Sequence, residues 1–200
     1  TGENLTFSIV LRFGNSLTGN VRAMDQFIIT EVSALAVADF LTDKGADVRI
    51  KWPNDIYVRD RKICGMLIEN SLRGDEVATS IVGIGINLNQ RDFPAELANP
   101  TSLAIATGKE IGPKEALEDF LPFFLMRLEM SLTPEGRAEM RNDYLDILYR
   151  KDKPFPYRDN VTGEEFTGTI KGISDIGELL AEMPDNSIKS FSFKEIGYII

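Results

Sequence analysis

From residue 47 the chain reads Asp47-Val48-Arg49-Ile50-Lys51-Trp52-Pro53-Asn54-Asp55-Ile56-Tyr57-Val58-Arg59-Asp60-Arg61-Lys62-Ile63-Cys64-Gly65-Met66-Leu67. Asp47 to Trp52 is a short β-rich run, and Pro53-Asn54-Asp55 breaks it because proline lacks a donor and Asn and Asp favour turns. The run resumes at Ile56 to Val58, and the charged Arg59-Asp60-Arg61-Lys62 reads as the tip of a hairpin. A returning strand is predicted from Ile63 to Glu69, and another from Val77 to Leu88 that contains Gly83-Ile84-Gly85-Ile86-Asn87. Several strands in close succession predict a sheet.

Working outward, Leu5 to Phe13 alternates and is predicted as a strand. Gly14 to Asn20 reads as a turn, with Asn20 as the N-cap of a long helix. In that helix Phe27, Ile28, Val32, Leu35 and Leu41 recur at helical spacing, and Gly45 ends it. Arg91 to Gly112 is a loop-rich excursion. A helix follows from Pro113, with Phe120, Phe124, Leu128 and Leu132 at every fourth position and Pro122 marking a kink or a later start. Thr133-Pro134 opens another, carrying Met140, Tyr144, Ile147 and Leu148. Lys151 to Pro154 is a linker, after which only short strands are predicted, at Phe166–Ile173, Leu179–Met183 and Ile188–Phe193. That pattern suits a small β-barrel. The predicted division is residues 1–150 and 151–200.

Composition excludes several chemistries. With 22 Lys+Arg against 31 Asp+Glu in 200 residues, the net charge of −9 argues against a nucleic-acid partner. No histidine is present, which removes the Ser-His-Asp triad and the His-based zinc motifs. One cysteine leaves no internal disulfide and no thiolate metal site, so no metal ligands are assigned; this usage suits the cytoplasm. No apolar run is long enough for a membrane span, and the absence of an initiator Met suggests that the sequence starts inside a longer product.

Chemically, Lys51 and Lys62 supply point charges for phosphate, and Asn54, Asp55 and Asn87 supply groups that read a base or ribose. Gly65, Gly83 and Gly85 leave backbone bare for a flat ligand. Separately each has a plainer reading. Lys62 would be a solvated turn residue, the glycines a strand crowded by its neighbour, and Asn54-Asp55 an Asx turn. Cys64 and Trp52 read as core, since a thiol nucleophile would need a base that this chain lacks.

The order KWPNDI, DRKICG and GIGIN resembles that of the biotin protein ligases, and the likeness runs nearly the whole chain, with IKGISDIGELL similar to that family's SH3-like barrel. The resemblance implies an α/β fold with a mixed sheet, of the class II aminoacyl-tRNA synthetase-like kind, followed by the SH3-like domain. It implies ATP-dependent activation of biotin to biotinyl-AMP, with MgATP and biotin as substrates and no prosthetic group. Biotin then passes to a lysine of a biotin carboxyl carrier domain. Lys62 would be catalytic and contact biotin, with Gly65 lining the biotin site. Lys51 would also be catalytic, near the phosphates, and Asn54, Asp55 and Asn87 would lie on the adenylate side. The family's Gly- and Arg-rich loop is not in this sequence, nor is its Ser/Thr pair with a Gln, nor a basic residue after Lys194. A lipoate-type ligase and a non-transferring biotin-adenylate-binding regulator are the alternatives, and a homodimer is left open.

Overall fold

The structure, a computed structural model, describes residues 2–199. The chain divides into two compact units, Thr1–Ile147 and Leu148–Ile200. Among the described residues, no helix is long and apolar enough to cross a membrane.

The first unit contains β1 (Asn4–Arg12), α1 (Phe27–Asp43), β2 (Val48–Lys51), β3 (Asp55–Val58), β4 (Arg61–Arg73) and β5 (Glu76–Asn87), then α2 (Leu103–Thr107), α3 (Pro113–Met130) and α4 (Pro134–Asp146). The strands form one sheet in the order β1-β5-β4-β3-β2. Its ladders are all antiparallel where a mixed sheet was expected. The reason lies in the connections. From β2 to β5 the chain meanders through tight turns, and the one helical crossover, α1, joins β1 to β2 at opposite edges of the sheet. Parallel neighbours need such a crossover between adjacent strands.

Strand periodicity gives the sheet two unlike faces. Leu5, Ile86, Cys64, Ile56 and Ile50 form one cross-strand row and are all buried. Helices cover this side: α1 lies against β2 and β3, and α3 against β1. Phe7 meets Phe120 edge-on at 5.4 Å, and Phe120 meets Phe40 at 6.2 Å. α1 packs against the sheet and also against α3 and α4, so most of its residues are buried, including Glu31 and Ser33. Glu31 pairs with Arg141 of α4, and Arg127 of α3 binds Asp39 of α1 at 2.7 Å and also Asp143 of α4. Those pairs tie three helices together without leaving a buried charge alone.

Several boundaries differ from expectation. α1 begins at Phe27 with Gln26 before it, not at Asn20. Residues 21–23 first bond the end of the β4–β5 hairpin, through Val77 N to Val21 O (2.8 Å) and Ala23 N to Asp75 O (2.7 Å). β4 continues to Arg73, beyond Glu69. α3 runs unbroken through Pro122, and Leu132 lies past its end at 38% exposure. Within the loop-rich excursion, α2 is capped by Ser102, whose side chain accepts from Ile105 N, and by left-handed Gly108.

The second unit holds β6 (Pro154–Asp159), β7 (Glu165–Ile173), β8 (Leu179–Glu182), β9 (Ile188–Phe191) and β10 (Ile196–Tyr198), in the order β10-β6-β7-β8-β9, with every ladder antiparallel. Phe166 of β7 stacks on Phe191 of β9 at 5.7 Å although β8 lies between the two strands. That contact requires the sheet to curl, since strands two apart stand roughly 9–10 Å from each other. Tyr157, Ile170, Leu179 and Ala181 fill the interior.

Candidate functional site

On the face of the first sheet away from the helices, a second cross-strand row runs Lys51 (β2), Asp55 (β3), Gly65 (β4), Gly85 (β5) and Thr6 (β1). Four of the residues singled out by sequence, Lys51, Asp55, Gly65 and Gly85, thus stand side by side. The row alternates with the apolar row described above, so the pattern that buries Cys64 also turns Asp55 and Gly65 outward.

Lys62 joins this row for a less obvious reason. Residues two apart on a strand share a face, so a regular β4 would point Lys62 with Cys64 and Met66 into the core. The ladder between β3 and β4 instead shifts register: Ile56 opposes Cys64 while Tyr57 opposes Lys62, leaving Ile63 as the extra residue of a bulge. Ile63 and Cys64 are consecutive and both buried, as a bulge requires. The turn expected over Arg59 to Lys62 is shorter, with β4 starting at Arg61 and Arg59 at a φ of 54°. Lys62 is therefore a strand residue, held on its far side as well. Its N–H donates to Asn99 O and its carbonyl accepts from Thr101 N, both at 2.9 Å.

So placed, the Lys62 ammonium lies 2.6 Å from Asp55 Oδ1 and directly over Gly65. A Cβ added at Gly65 would stand 2.9 Å from both Cε and Nζ of Lys62. Gly65 is bare because the lysine crosses it. Gly83 and Gly85 are different. A Cβ there would meet nothing closer than 3.7 Å and 3.9 Å, so neighbouring elements do not crowd them, and they present open backbone beside the charged row. Ser8, opposite Gly83, and Thr6, opposite Gly85, border the same floor. Sequence reasoning passed over these two, and over Asn99 to Thr101; the alternation of β1 was the only available signal for the first pair.

The remaining predicted residues frame the row. The Nδ2 of Asn54 donates to Met66 O at 2.9 Å, fastening the β2–β3 turn to β4, and the Trp52-Pro53 peptide in that turn is cis. Tyr144 of α4 donates its hydroxyl to Pro53 O at 2.7 Å from below. Lys51 Nζ sits 5.1 Å from the centroid of the Tyr57 ring. Asn87 closes the end of β5 by donating to Thr101 O at 2.9 Å, so it and Lys62 hold the same segment. Cys64 and Trp52 are buried as expected, and burial, aided by the nearby Asp55 charge, pushes the Cys64 thiol up.

The family described as the Biotin/lipoate A/B protein ligase family matches residues 1–87. A biotin--[acetyl-CoA-carboxylase] ligase of Paracoccus denitrificans is 33% identical over 160 residues, 76% of this chain and 65% of that protein. The bifunctional ligase/repressor BirA of Bacillus subtilis (strain 168) is also 33% identical, over 82% of this chain and 51% of its own length. The chain is similar to biotin protein ligases. Among solved structures of biotin protein ligases, the apo enzyme of Aquifex aeolicus matches at 27% identity with a TM-score of 0.77, covering 98% of this chain and 83% of that one. The same ligase in complex with biotin and ATP matches at 26% and 0.69, over 98% and 78%. The α/β architecture of the first unit is thus that of biotin protein ligases. The chain spans between half and two thirds of the length of these curated ligases.

Proposed function

We propose that this chain carries the site at which biotin is activated by MgATP and passed to a lysine of a carrier protein. The observation that carries the reading is Lys62, turned by a bulge onto the open face, its ammonium resting across bare Gly65 in line with Lys51 and Asp55. The nucleotide would lie over the open backbone of Gly83 and Gly85, with Asn54 and Asn87 framing it and Lys51 near the phosphates. Residues 1–150 would form the catalytic module and residues 151–200 its SH3-like companion, acting in the cytoplasm. The Aquifex ligase, solved with biotin and ATP, supports the choice of substrates.

In this mechanism an oxygen of the biotin carboxylate attacks the α-phosphorus of ATP and the bond to pyrophosphate breaks, giving biotinyl-AMP. The ε-amine of a carrier lysine then attacks the acyl carbon, AMP departs, an amide forms, and the amine proton leaves to solvent. Neither step uses a nucleophile from the enzyme, which agrees with a chain that has no histidine and one buried thiol. The protein's task is to hold two anions in contact and to offset charge on the transferring phosphate, work suited to a fixed lysine.

The test is thermal stabilisation by substrates. Biotin with MgATP should raise the melting temperature more than either alone, because the adenylate joins both half-sites. Octanoate or lipoate should do less, and equal stabilisation by octanoate would move the assignment to the lipoate-type branch.

A further inference from the structure

We infer that Asp55 is a positioning residue that acts through Lys62: its carboxylate is the resident counter-ion that parks the ammonium over Gly65 until substrate anions take its place. The inference rests on the ligase reading but reassigns Asp55, which the family likeness placed among adenylate contacts.

A carboxylate repels phosphate and carboxylate ligands, so Asp55 is a poor direct partner for either substrate. Its contact in the structure is the ammonium, 2.6 Å away. The two residues come from adjacent strands and stand on the outer face, with Asp55 directly opposite Gly65. The backbone of Lys62 is pinned by the bulge and by Asn99 and Thr101, but four rotatable side-chain bonds remain beyond it. The pair settles them. A lysine held across a bare glycine needs no search when an anion arrives, and the partners are 41% and 24% exposed, so an arriving anion can reach the ammonium.

Asp55→Asn keeps the shape of a partly exposed side chain and removes its charge. The measurement is biotin-dependent pyrophosphate exchange in the gene product that carries this chain, for Asp55→Asn, Asp55→Glu, Lys62→Gln and the Asp55→Asn/Lys62→Gln double variant. Asp55→Asn should lower kcat at least tenfold and leave the KM for biotin within about threefold, a split expected of lost positioning. Asp55→Glu should recover part of the rate. In the Lys62→Gln background, Asp55→Asn should change the rate less than about twofold, because the residue it acts through is gone. An equal fold-loss in both backgrounds would overturn the inference, since Asp55 would then contact substrate or its magnesium independently. Competitive acetylation, read by mass spectrometry at Lys62 against Lys171, does not depend on turnover. Asp55→Asn should raise Lys62 labelling severalfold, and unchanged labelling would overturn the pairing. A wild-type protein inactive in exchange would instead count against the ligase reading, leaving the labelling result to decide the role of Asp55.

Discussion

Gly65→Ala separates the site from the scaffold more cleanly than removing a charge does. Gly65 has ordinary extended backbone, so alanine fits its torsions, and replacing glycine in a strand gains roughly 0.5–1 kcal/mol from the unfolded chain. The new methyl would stand 2.9 Å from Cε and Nζ of Lys62 and 3.5 Å from Asp55 Oδ1. Carbon contacts settle near 3.5–4.0 Å, so the lysine end must retreat by about 0.7 Å. It is the far end of a flexible side chain, so the retreat strains little, and the weakened pair, partly exposed on both sides, gives back at most about 1 kcal/mol. These effects nearly cancel, and stability should stay within about 0.5 kcal/mol of the parent in urea unfolding. Catalysis should not be spared. A misplacement approaching 1 Å can cost about a hundredfold, so biotin-dependent pyrophosphate exchange should fall about 10–100-fold, or roughly 1.4–2.7 kcal/mol of barrier. Full-rate exchange in a folded Gly65→Ala protein would refute the claim that Lys62 must cross this glycine. Unfolding by more than about 2 kcal/mol would show that Gly65 serves the sheet and not the site.

Two further outcomes test neighbouring parts of the argument. Cys64→Ala should keep exchange within about threefold while losing about 1 kcal/mol of stability from a small buried void; a thousandfold loss with the fold intact would mean that a thiol takes part. Glu31 is buried on α1, where desolvation raises its carboxyl above the ordinary 4.5 despite the opposing Arg141 charge. The folded state therefore holds this proton more tightly than the unfolded one, so Glu31 contributes stability that is full below its unfolded value and is lost as pH rises through its folded value. Urea midpoints across that window should fall with rising pH in the parent and fall less steeply in Glu31→Gln; identical slopes would contradict the assignment.

The legible parts of the sequence were those where physics acts over short range. Alternation located β1, and helical spacing located α3 and the Met140–Tyr144 side of α4, although Ile147 and Leu148, read with that helix, lie past its end at Asp146. Elsewhere tertiary pairing overrode local signals. The outer half of β4, Asn70-Ser71-Leu72-Arg73, has weak strand character and is extended because β5 pairs with it. β6 was hidden by Pro154 and Pro156, and β10 is three residues long. β10 depends on β6, a partner distant in sequence.

The site shows the same division, with one instructive exception. Lys62 and Gly65 are three apart, and on a regular strand an odd spacing sends two residues to opposite faces. A lysine that must lie across a glycine three positions later can do so only if one residue between them is taken out of register. Ile63 is that residue, buried beside Cys64 while Tyr57 turns to face Lys62. The bulge is therefore already implied by the spacing within Lys62-Ile63-Cys64-Gly65, once the two end residues are required to meet. A charged turn explains the Asp60-Arg61-Lys62 composition equally well, but it gives no reason for a bare glycine at 65. The contact between Lys62 and Gly65 supplies that reason, and with it the link from strand register to anion chemistry.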